Sequence, residues 1–306
     1  TVYLVTDPTG KEFAVKALRP ELAKDPGVIA LLETEAKSLL KVNHPRVSKL
    51  VSYSIGFDPV PHIVLEYVNG ISLKDMVAEA PLSGPILLSM SKGLLEGLDA
   101  IHSVGIIHKD LKPGNIVFTD DGVKLIDFGI SATLDQQSSS ETERLSATPG
   151  WLSPEQANGS DLSQKSDIFN FGMVLAFAAS GRHPFGEGTQ DAILFRISKG
   201  RSDLNGLPSW LKEIVQACLS INPNDRPDLE QLKSWLNRPG SSSQSEGFEA
   251  DATTMASATV LSGAARQEAS PFIVTGPEKP RSSDASNSGA RGILRRKSAI
   301  AAFASL

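Results

Sequence analysis

Short runs of alternating or β-branched apolar residues dominate the first part of the chain. The runs cover residues 2–5, 12–18, 50–55 and 62–66. Each is bounded by Gly, Pro or Asp, so the pattern predicts four strands. Between the second and third runs, apolar side chains recur at three- and four-residue spacings, which predicts a helix over residues 26–42.

The pattern changes after Ser72, where apolar residues follow a helical period. Helices are predicted over residues 87–103, 167–179, 190–198, 209–219 and 228–236. Two small strands, 116–119 and 123–126, flank the turn Asp120-Asp121-Gly122. A strand-rich part followed by a helical part predicts an α+β fold with two lobes.

The composition changes again after Trp235. Residues 239–306 contain 13 serines, no Trp and no Tyr, and their apolar residues have no period. Such a segment buries too little surface to offset its ordering entropy, so residues 239–290 are predicted to be a disordered linker. Residues 291–306 combine four cations with an uncharged end. This pattern is typical of the cytoplasmic side of a membrane helix, which would then lie beyond Leu306; the alternative is a solvated basic tail.

Composition and charge exclude several classes of protein. The 306 residues are 40% apolar and 21% charged, with a net charge of −5, as in globular proteins. The acidic balance gives no reason to expect a nucleic-acid partner. A single cysteine, Cys218, favours a reducing compartment. The longest uncharged apolar stretch, residues 168–181, is short for a bilayer crossing.

The densest group of chemically capable residues is His108-Lys109-Asp110-Leu111-Lys112-Pro113-Gly114-Asn115, followed by Asp127-Phe128-Gly129. A loop carboxylate such as Asp110 can face a substrate hydroxyl, and Lys112, two residues on, can neutralise a phosphoryl group. Asn115 and Asp127 offer the oxygen ligands that Mg²⁺ prefers.

With its internal spacing, this string resembles the catalytic loop and the magnesium loop of the protein kinase family. The resemblance implies that Asp110 accepts the proton of the substrate hydroxyl and that Lys112 stabilises the moving phosphoryl group. It further implies that Asn115 and Asp127 hold Mg²⁺ and that ATP is the phosphoryl donor. His108 is then a structural histidine.

Ala14-Val15-Lys16, in the second predicted strand, resembles the family's segment whose lysine holds the α- and β-phosphates. The ion-pair partner of Lys16 should come from the helix over residues 26–42. Glu35 lies on the apolar face of that helix, whereas Glu33 pairs outward with Lys37 at i+4. We therefore expect Glu35 to be the partner.

The segment 65–68, Leu-Glu-Tyr-Val, resembles the hinge that binds adenine. The resemblance implies that the backbones of Glu66 and Val68 hydrogen-bond the adenine ring. It also implies that this ring lies between apolar side chains from both lobes, namely Val2, Ala14 and Val117.

Residues 147–155 look like the end of an activation segment, with Ser153 where many relatives carry Ala. By resemblance, Glu155 pairs with Arg226, and Asp167 both caps the central helix and anchors the catalytic-loop backbone. Candidate phosphorylation sites precede this end: Ser138, Ser139, Ser140, Thr142, Ser146 and Thr148. Lys109 stands where arginine is usual; it keeps the positive charge but not the bidentate fork.

The resemblance covers about residues 1–238 and implies a small β-rich N-lobe, about 1–68, and a larger helical C-lobe, about 69–238. The glycine-rich phosphate loop is absent, and Val2 matches the position just after it, so we expect the natural protein to continue on the N-terminal side of Thr1. The amino-acid sequence of residues 181–189 is most similar to the corresponding segment of bacterial Ser/Thr kinases. Many of these are tethered to the plasma membrane with a cytoplasmic kinase domain, act in signalling, and dimerise to phosphorylate one another.

The sequence therefore predicts an ATP- and Mg²⁺-dependent kinase that acts on Ser and Thr of proteins, and on itself. Lys112 and Thr148 favour Ser/Thr over Tyr. A pseudokinase scaffold and, more remotely, a small-molecule phosphotransferase are the alternatives.

Overall fold

A computed structural model describes residues 2–18, 20, 22–56, 60–127 and 150–238. The predicted linker, the basic segment 291–306, Phe128, Gly129 and the candidate phosphorylation sites lie outside the described residues. Within the described ranges, every helix is too short or too polar to cross a bilayer.

The N-terminal part is an antiparallel sheet with one helix against it. Its strands are β1 (Val2–Thr6), β2 (Glu12–Ala17), β3 (Leu50–Ser54) and β4 (His62–Glu66), in the spatial order β1-β2-β4-β3. Helix α1 (Pro26–Leu39) begins after Asp25, whose carboxylate accepts the amide hydrogens of Gly27 and Val28. Its buried face consists of Val28, Leu32, Ala36 and Leu39.

A second, three-stranded sheet follows the hinge segment. It contains β5 (Ile71–Ser72), β6 (Ile116–Thr119) and β7 (Gly122–Leu125) in the order β5-β6-β7. Gly122 has a φ of 107° and lies against the Arg46 guanidinium, so the hairpin turn requires a residue without a side chain. This hairpin lies directly after the catalytic loop and carries Asp127 at its end.

Helices form the C-terminal part. They are α2 (Leu73–Glu79), α3 (Gly84–His102), α4 (Pro154–Asn158), α5 (Gln164–Ser180), α6 (Gln190–Ser198), α7 (Ser209–Cys218) and α8 (Leu229–Leu236). Most residues of α5 are buried, which makes it the central element of the core. Gly172 permits the close crossing of α5 and α7, because a Cβ there would lie 2.6 Å from Cys218 Cβ.

The α+β architecture predicted from the patterns is confirmed. The longer helices and six of the strands agree with their predicted bounds to within a few residues, but strand β5 and the short helices α2 and α4 were not predicted. One assignment was wrong: the cap of α5 is Ser163, whose hydroxyl accepts the amide hydrogen of Lys165. Asp167 lies inside the helix, and its carboxylate binds the backbone of the catalytic loop instead.

Candidate active site

A buried carboxylate of α5 holds the loop that carries Asp110. Asp167 Oδ2 accepts the amide hydrogen of His108 at 2.7 Å, and Oδ1 accepts that of Lys109 at 2.9 Å. His102 Nε2, at the end of α3, lies 2.7 Å from the same carboxylate. The predicted anchoring role of Asp167 thus agrees with the structure, while His102 is a contributor that the sequence analysis missed.

These bonds support a strained backbone. Lys109 has a φ of 66°, a conformation that costs a non-glycine residue about 1–3 kcal/mol. Hydrogen bonds to a charged group contribute about 1.5–3 kcal/mol each. The two amide bonds to Asp167 are therefore sufficient to offset the strain.

His108 is completely buried beneath this loop. Burial lowers the pKa of His108, although the carboxylates of Asp167, Asp110 and Asp127 act in the opposite direction. The ring is thus neutral, and its Nδ1 faces the amide of Asp110 at 3.4 Å. These features agree with the structural role predicted for this histidine.

The side chains predicted to carry catalysis converge on Asp110. Lys112 Nζ and Asn115 Nδ2 donate to Asp110 Oδ2 at 2.8 and 3.0 Å, and Asn115 Nδ2 also lies 2.8 Å from the Asp110 carbonyl. Because both neighbours use Oδ2, the other carboxylate oxygen, Oδ1, is the one that a substrate hydroxyl would approach.

A backbone hydrogen bond holds the residue before Asp127 against the catalytic loop. The Ile126 amide donates to the Asn115 carbonyl at 2.9 Å, which sets Asp127 beside the catalytic loop. Because Asn115 uses its amide nitrogen on Asp110, its Oδ1 is the atom left to meet a cation. One amide oxygen and one carboxylate fit Mg²⁺, which usually takes one or two protein ligands together with phosphates and water.

Lys16 and Glu35 each form an ion pair with a residue in or beside the catalytic loop. Lys16 forms an ion pair with Asp127, and Glu35 forms one with Lys109, with Oε1 2.8 Å from Nζ. Helix α1 is thereby tied to the catalytic loop. The outward pair predicted for Glu33 and Lys37 is present at 2.6 Å.

The residues predicted to surround adenine lie on two sheets. In the antiparallel register, Val2 is opposite Lys16 and Ala14 is opposite Leu65, so Val2, Ala14 and Lys16 share one face of the sheet. Val117, on β6, is buried. A Cβ at Gly70, just after the hinge, would lie 2.7 Å from a Val117 methyl group, so the hinge segment passes close to this side chain.

The hinge residue Glu66 is held from two sides. Its carbonyl accepts from the Ser48 hydroxyl at 3.0 Å, and its carboxylate pairs with Lys124 at 2.8 Å. A carbonyl has two lone pairs, so adenine can share this one with Ser48. Val68, the other predicted hinge contact, is half-buried directly after β4.

The start of α4 connects the end of the predicted activation segment to the catalytic loop. Ser153 and Gln156 form a capping box, and Gln156 Nε2 donates to the Lys109 carbonyl at 2.7 Å. Glu155 forms the predicted ion pair with Arg226, bidentate at 2.6 and 2.9 Å. The sequence Ser153-Pro154-Glu155-Gln156 has the spacing of a capping box, and this spacing is the signal by which Gln156 could have been found.

Comparisons with known proteins agree with this geometry. The family model described as a protein kinase domain matches residues 1–236. A probable serine/threonine-protein kinase PkwA of Thermomonospora curvata is 37% identical over 237 residues, which are 77% of this chain and 32% of that protein. The serine/threonine-protein kinase PknB of Mycobacterium tuberculosis is 31% identical over 230 residues, covering 71% and 36%.

A crystal structure of Rad53 1–466 in complex with AMP-PNP has a similar fold. Its TM-score is 0.63, its sequence is 27% identical, and the match covers 77% of this chain and 61% of that one. The chain spans about a third of the length of the curated relatives it matches. Because the protein kinase domain model matches residues 1–236, the chain belongs to the protein kinase family, and the curated relatives named here are actinobacterial Ser/Thr kinases.

Proposed function

We propose that the protein transfers the γ-phosphoryl group of ATP to serine and threonine hydroxyls of proteins, in a Mg²⁺-dependent reaction. The observation that carries the proposal is the arrangement around Asp110, whose Oδ2 is held by Lys112 and Asn115 while Oδ1 is left for a hydroxyl. The names of the relatives, which are serine/threonine-protein kinases, support the same reaction.

The described side chains have separate roles in this proposal. Asp110 orients the hydroxyl and accepts its proton, since a positioned carboxylate can act as general base. Lys112 neutralises charge on the transferring group. Lys16 holds the phosphates of the nucleotide, and its ion pair with Asp127 gives way to them. Positioning and electrostatics supply most of the acceleration in such a reaction.

Asn115 and Asp127 would hold the magnesium ion. When bound, the ion neutralises charge on the phosphates of the nucleotide. The Lys16 ammonium lies against the Asp127 carboxylate and balances its charge. Asp127 would keep a positive partner in either case, because the magnesium ion would carry the charge that Lys16 supplies here.

We further propose that the kinase domain is cytoplasmic and is tethered to a membrane near residues 291–306. We also propose that it acts in bacterial signalling and that a second copy of the chain is one of its substrates. The support is the cation cluster Arg291, Arg295, Arg296 and Lys297. Cations next to an apolar segment are typical of the cytoplasmic side of a span. Fractionation of cells that express the natural gene would overturn the tether if the protein stayed with the soluble fraction.

The test of the reaction is incubation of the full chain with radiolabelled ATP and Mg²⁺, with itself and casein as acceptors. We expect label on Ser and Thr and a loss of roughly 10²- to 10⁴-fold in Asp110→Asn, the range of general-base contributions. Asp120→Asn, an exposed turn residue, is the matched control.

Three other outcomes would contradict the proposal. Equal labelling by Asp110→Asn and the wild type would show that Asp110 is not the base. Nucleotide binding without transfer would favour a scaffold. Label found only on an added aminoglycoside would favour a small-molecule phosphotransferase.

A further inference from the structure

One histidine outside the catalytic loop contacts the end of the predicted activation segment. His183 lies in the loop between α5 and α6, and its Nε2 is 2.9 Å from the Gly150 carbonyl. Its Nδ1 accepts the amide hydrogen of Phe185 at 3.1 Å. Because an amide can only donate, Nδ1 carries no proton, and the proton of the neutral ring is on Nε2. His183 therefore donates a hydrogen bond to Gly150.

The neutral form agrees with the surroundings of the ring. Burial lowers the pKa of His183, and the Arg196 guanidinium lowers it further, while the bond to Gly150 acts in the opposite direction. Protonation would place a second donor at Nδ1 against the Phe185 amide. The contact pattern thus requires one tautomer.

The loop that carries His183 is itself fixed. Arg196, on α6, donates to the carbonyls of Phe185 and Glu187. Phe185 is 1% exposed and stacks on Phe169 of α5 with ring centroids 5.9 Å apart. The imidazole is therefore attached to the core of the helical lobe and not to a mobile surface turn.

Gly150 and Trp151 fit closely against this support. Gly150 has a φ of +93°, and a Cβ there would lie 3.3 Å from Ile193 and 3.4 Å from His183 Nε2. Trp151 meets the rings of His183 and Phe177 edge-on, with centroids 4.8 and 5.7 Å apart. These contacts define the path of the backbone at residues 150 and 151.

The other end of the same stretch is fixed at the catalytic loop. Gln156 donates to the Lys109 carbonyl, one residue before Asp110. Residues 150–156 thus run between two supports, the His183 ring and the catalytic loop. Gly150 and the catalytic loop are therefore connected by one short stretch of backbone that is held at both ends.

We propose that His183 is a positioning residue for the protein substrate, acting through its hydrogen bond to the Gly150 carbonyl. The inference rests on the proposed kinase function, because it identifies residues 150–153 as a surface against which the acceptor protein lies. It predicts that His183 controls KM for the acceptor and leaves KM for ATP unaffected.

Two substitutions of His183 test the roles of its two ring nitrogens separately. In His183→Asn, the side-chain oxygen lies where Nδ1 was and can still accept from Phe185, but the donor to Gly150 is lost. In His183→Gln, the amide nitrogen can reach the place of Nε2 and restore that donor. His44→Asn is the matched control, because His44 Nδ1 accepts the amide hydrogen of Arg46, also two residues on, in a loop of the other lobe.

The experiment measures phosphorylation of a peptide with the sequence of residues 134–149 by the full chain and its three variants. We expect KM for the peptide to rise roughly 5- to 30-fold in His183→Asn, the effect of one lost hydrogen bond. His183→Gln should recover most of the loss. In all variants, KM for ATP should stay within about twofold of the wild type, since none of the residues assigned to ATP lies in this stretch.

Hydrogen exchange of the amides of residues 150–153 is the second readout and needs no activity. Exchange should be faster in His183→Asn and unchanged in His183→Gln and His44→Asn. Equal peptide KM values for the wild type and His183→Asn would overturn the inference, as would unchanged exchange. If the wild type transfers no phosphate at all, the proposed function fails, and the exchange measurement still decides whether His183 holds the segment.

Discussion

Glu35 of helix α1 and Lys109 of the catalytic loop form an ion pair across the two lobes, with both side chains 16% exposed. The pair joins the helix that the kinase resemblance assigns to Lys16 with the residue that precedes the proposed base. A contact of this kind couples the position of α1 to the catalytic loop.

The strength of this coupling can be measured with a double-mutant cycle of Glu35→Gln and Lys109→Met in urea unfolding. Contacting residues commonly show coupling energies of about 0.5–3 kcal/mol, and we expect a value in the upper half because the pair is largely shielded from water. Glu33 and Lys37 provide the reference cycle. Their pair is exposed and lies within one helix turn, so about 0.3–0.5 kcal/mol is expected. Equal coupling in both cycles would contradict the special role of the Glu35–Lys109 pair.

Substitution of Gln156 is expected to lower kcat, although Gln156 is not one of the residues assigned to nucleotide binding. In Gln156→Glu, the capping contact to the Ser153 amide can remain, but the donor to the Lys109 carbonyl is lost. Because small misplacements of catalytic groups cost up to about 10²-fold, we expect kcat to fall roughly 10- to 100-fold. Steady-state kinetics with casein measures this.

The control for that substitution is Gln164→Glu, which removes a bond of the same kind, from Gln164 Nε2 to the His102 carbonyl at 2.9 Å. Its kcat should stay near that of the wild type. A similar loss in both variants would indicate a general effect on stability.

The buried pair of Glu155 and Arg226 predicts how stability depends on pH. Burial alone would raise the pKa of Glu155, but the hydrogen bonds from Arg226 and Ser166 outweigh it and bring the pKa below its usual value of 4.5. In the window below 4.5, the unfolded state binds more protons than the folded state, so the free energy of unfolding rises with pH. The contribution is complete above 4.5 and is lost as the pH falls through the folded-state pKa.

Chemical unfolding of the wild type and Glu155→Gln between about pH 3 and 7 tests this dependence. At pH 7 the variant should be less stable by about 3–5 kcal/mol, because it leaves Arg226 buried without its counter-charge. The gap should shrink as the pH falls. A gap that stays constant with pH would contradict the lowered pKa.

Gly172 is predicted to be intolerant of any side chain. Its position against Cys218 leaves no room for a methyl group, so Gly172→Ala should destabilise the protein by about 1–3 kcal/mol through overpacking. Gly56→Ala is the comparison, since its nearest contact would be an ordinary 3.8 Å. Urea unfolding of the two variants decides; comparable stability would show that α5 and α7 can move apart at little cost.

The architecture could largely be predicted from the chain because its long elements have clear periods. The helix over 84–102 buries an apolar face that the sequence displays, and the helix over 164–180 is apolar along most of its length and mostly buried. Helix α2 was missed because seven residues give too little periodicity, although Ser72 caps it.

The site could be predicted where its functional side chains lie close together in the sequence. Asp110, Lys112 and Asn115 fall within six residues, and the structure brings them into contact. The partners of Glu35 and Lys16 were not predictable, because the placement of α1 against the catalytic loop is a tertiary property. His183 gave no signal, since a lone histidine in a loop has no pattern.

Asp167 binds the amides of His108 and Lys109, so the two parts of the site are supported by different elements of the fold. The proposed base rests on a helix from the middle of the larger lobe, while the phosphate-binding lysine stands on a separate sheet. Fraying of that sheet would displace Lys16 but would leave the two hydrogen bonds to Asp167 in place. A loss of ATP affinity on warming would therefore report on the sheet that carries Lys16, and a loss of turnover at saturating ATP would report on the loop that carries Asp110.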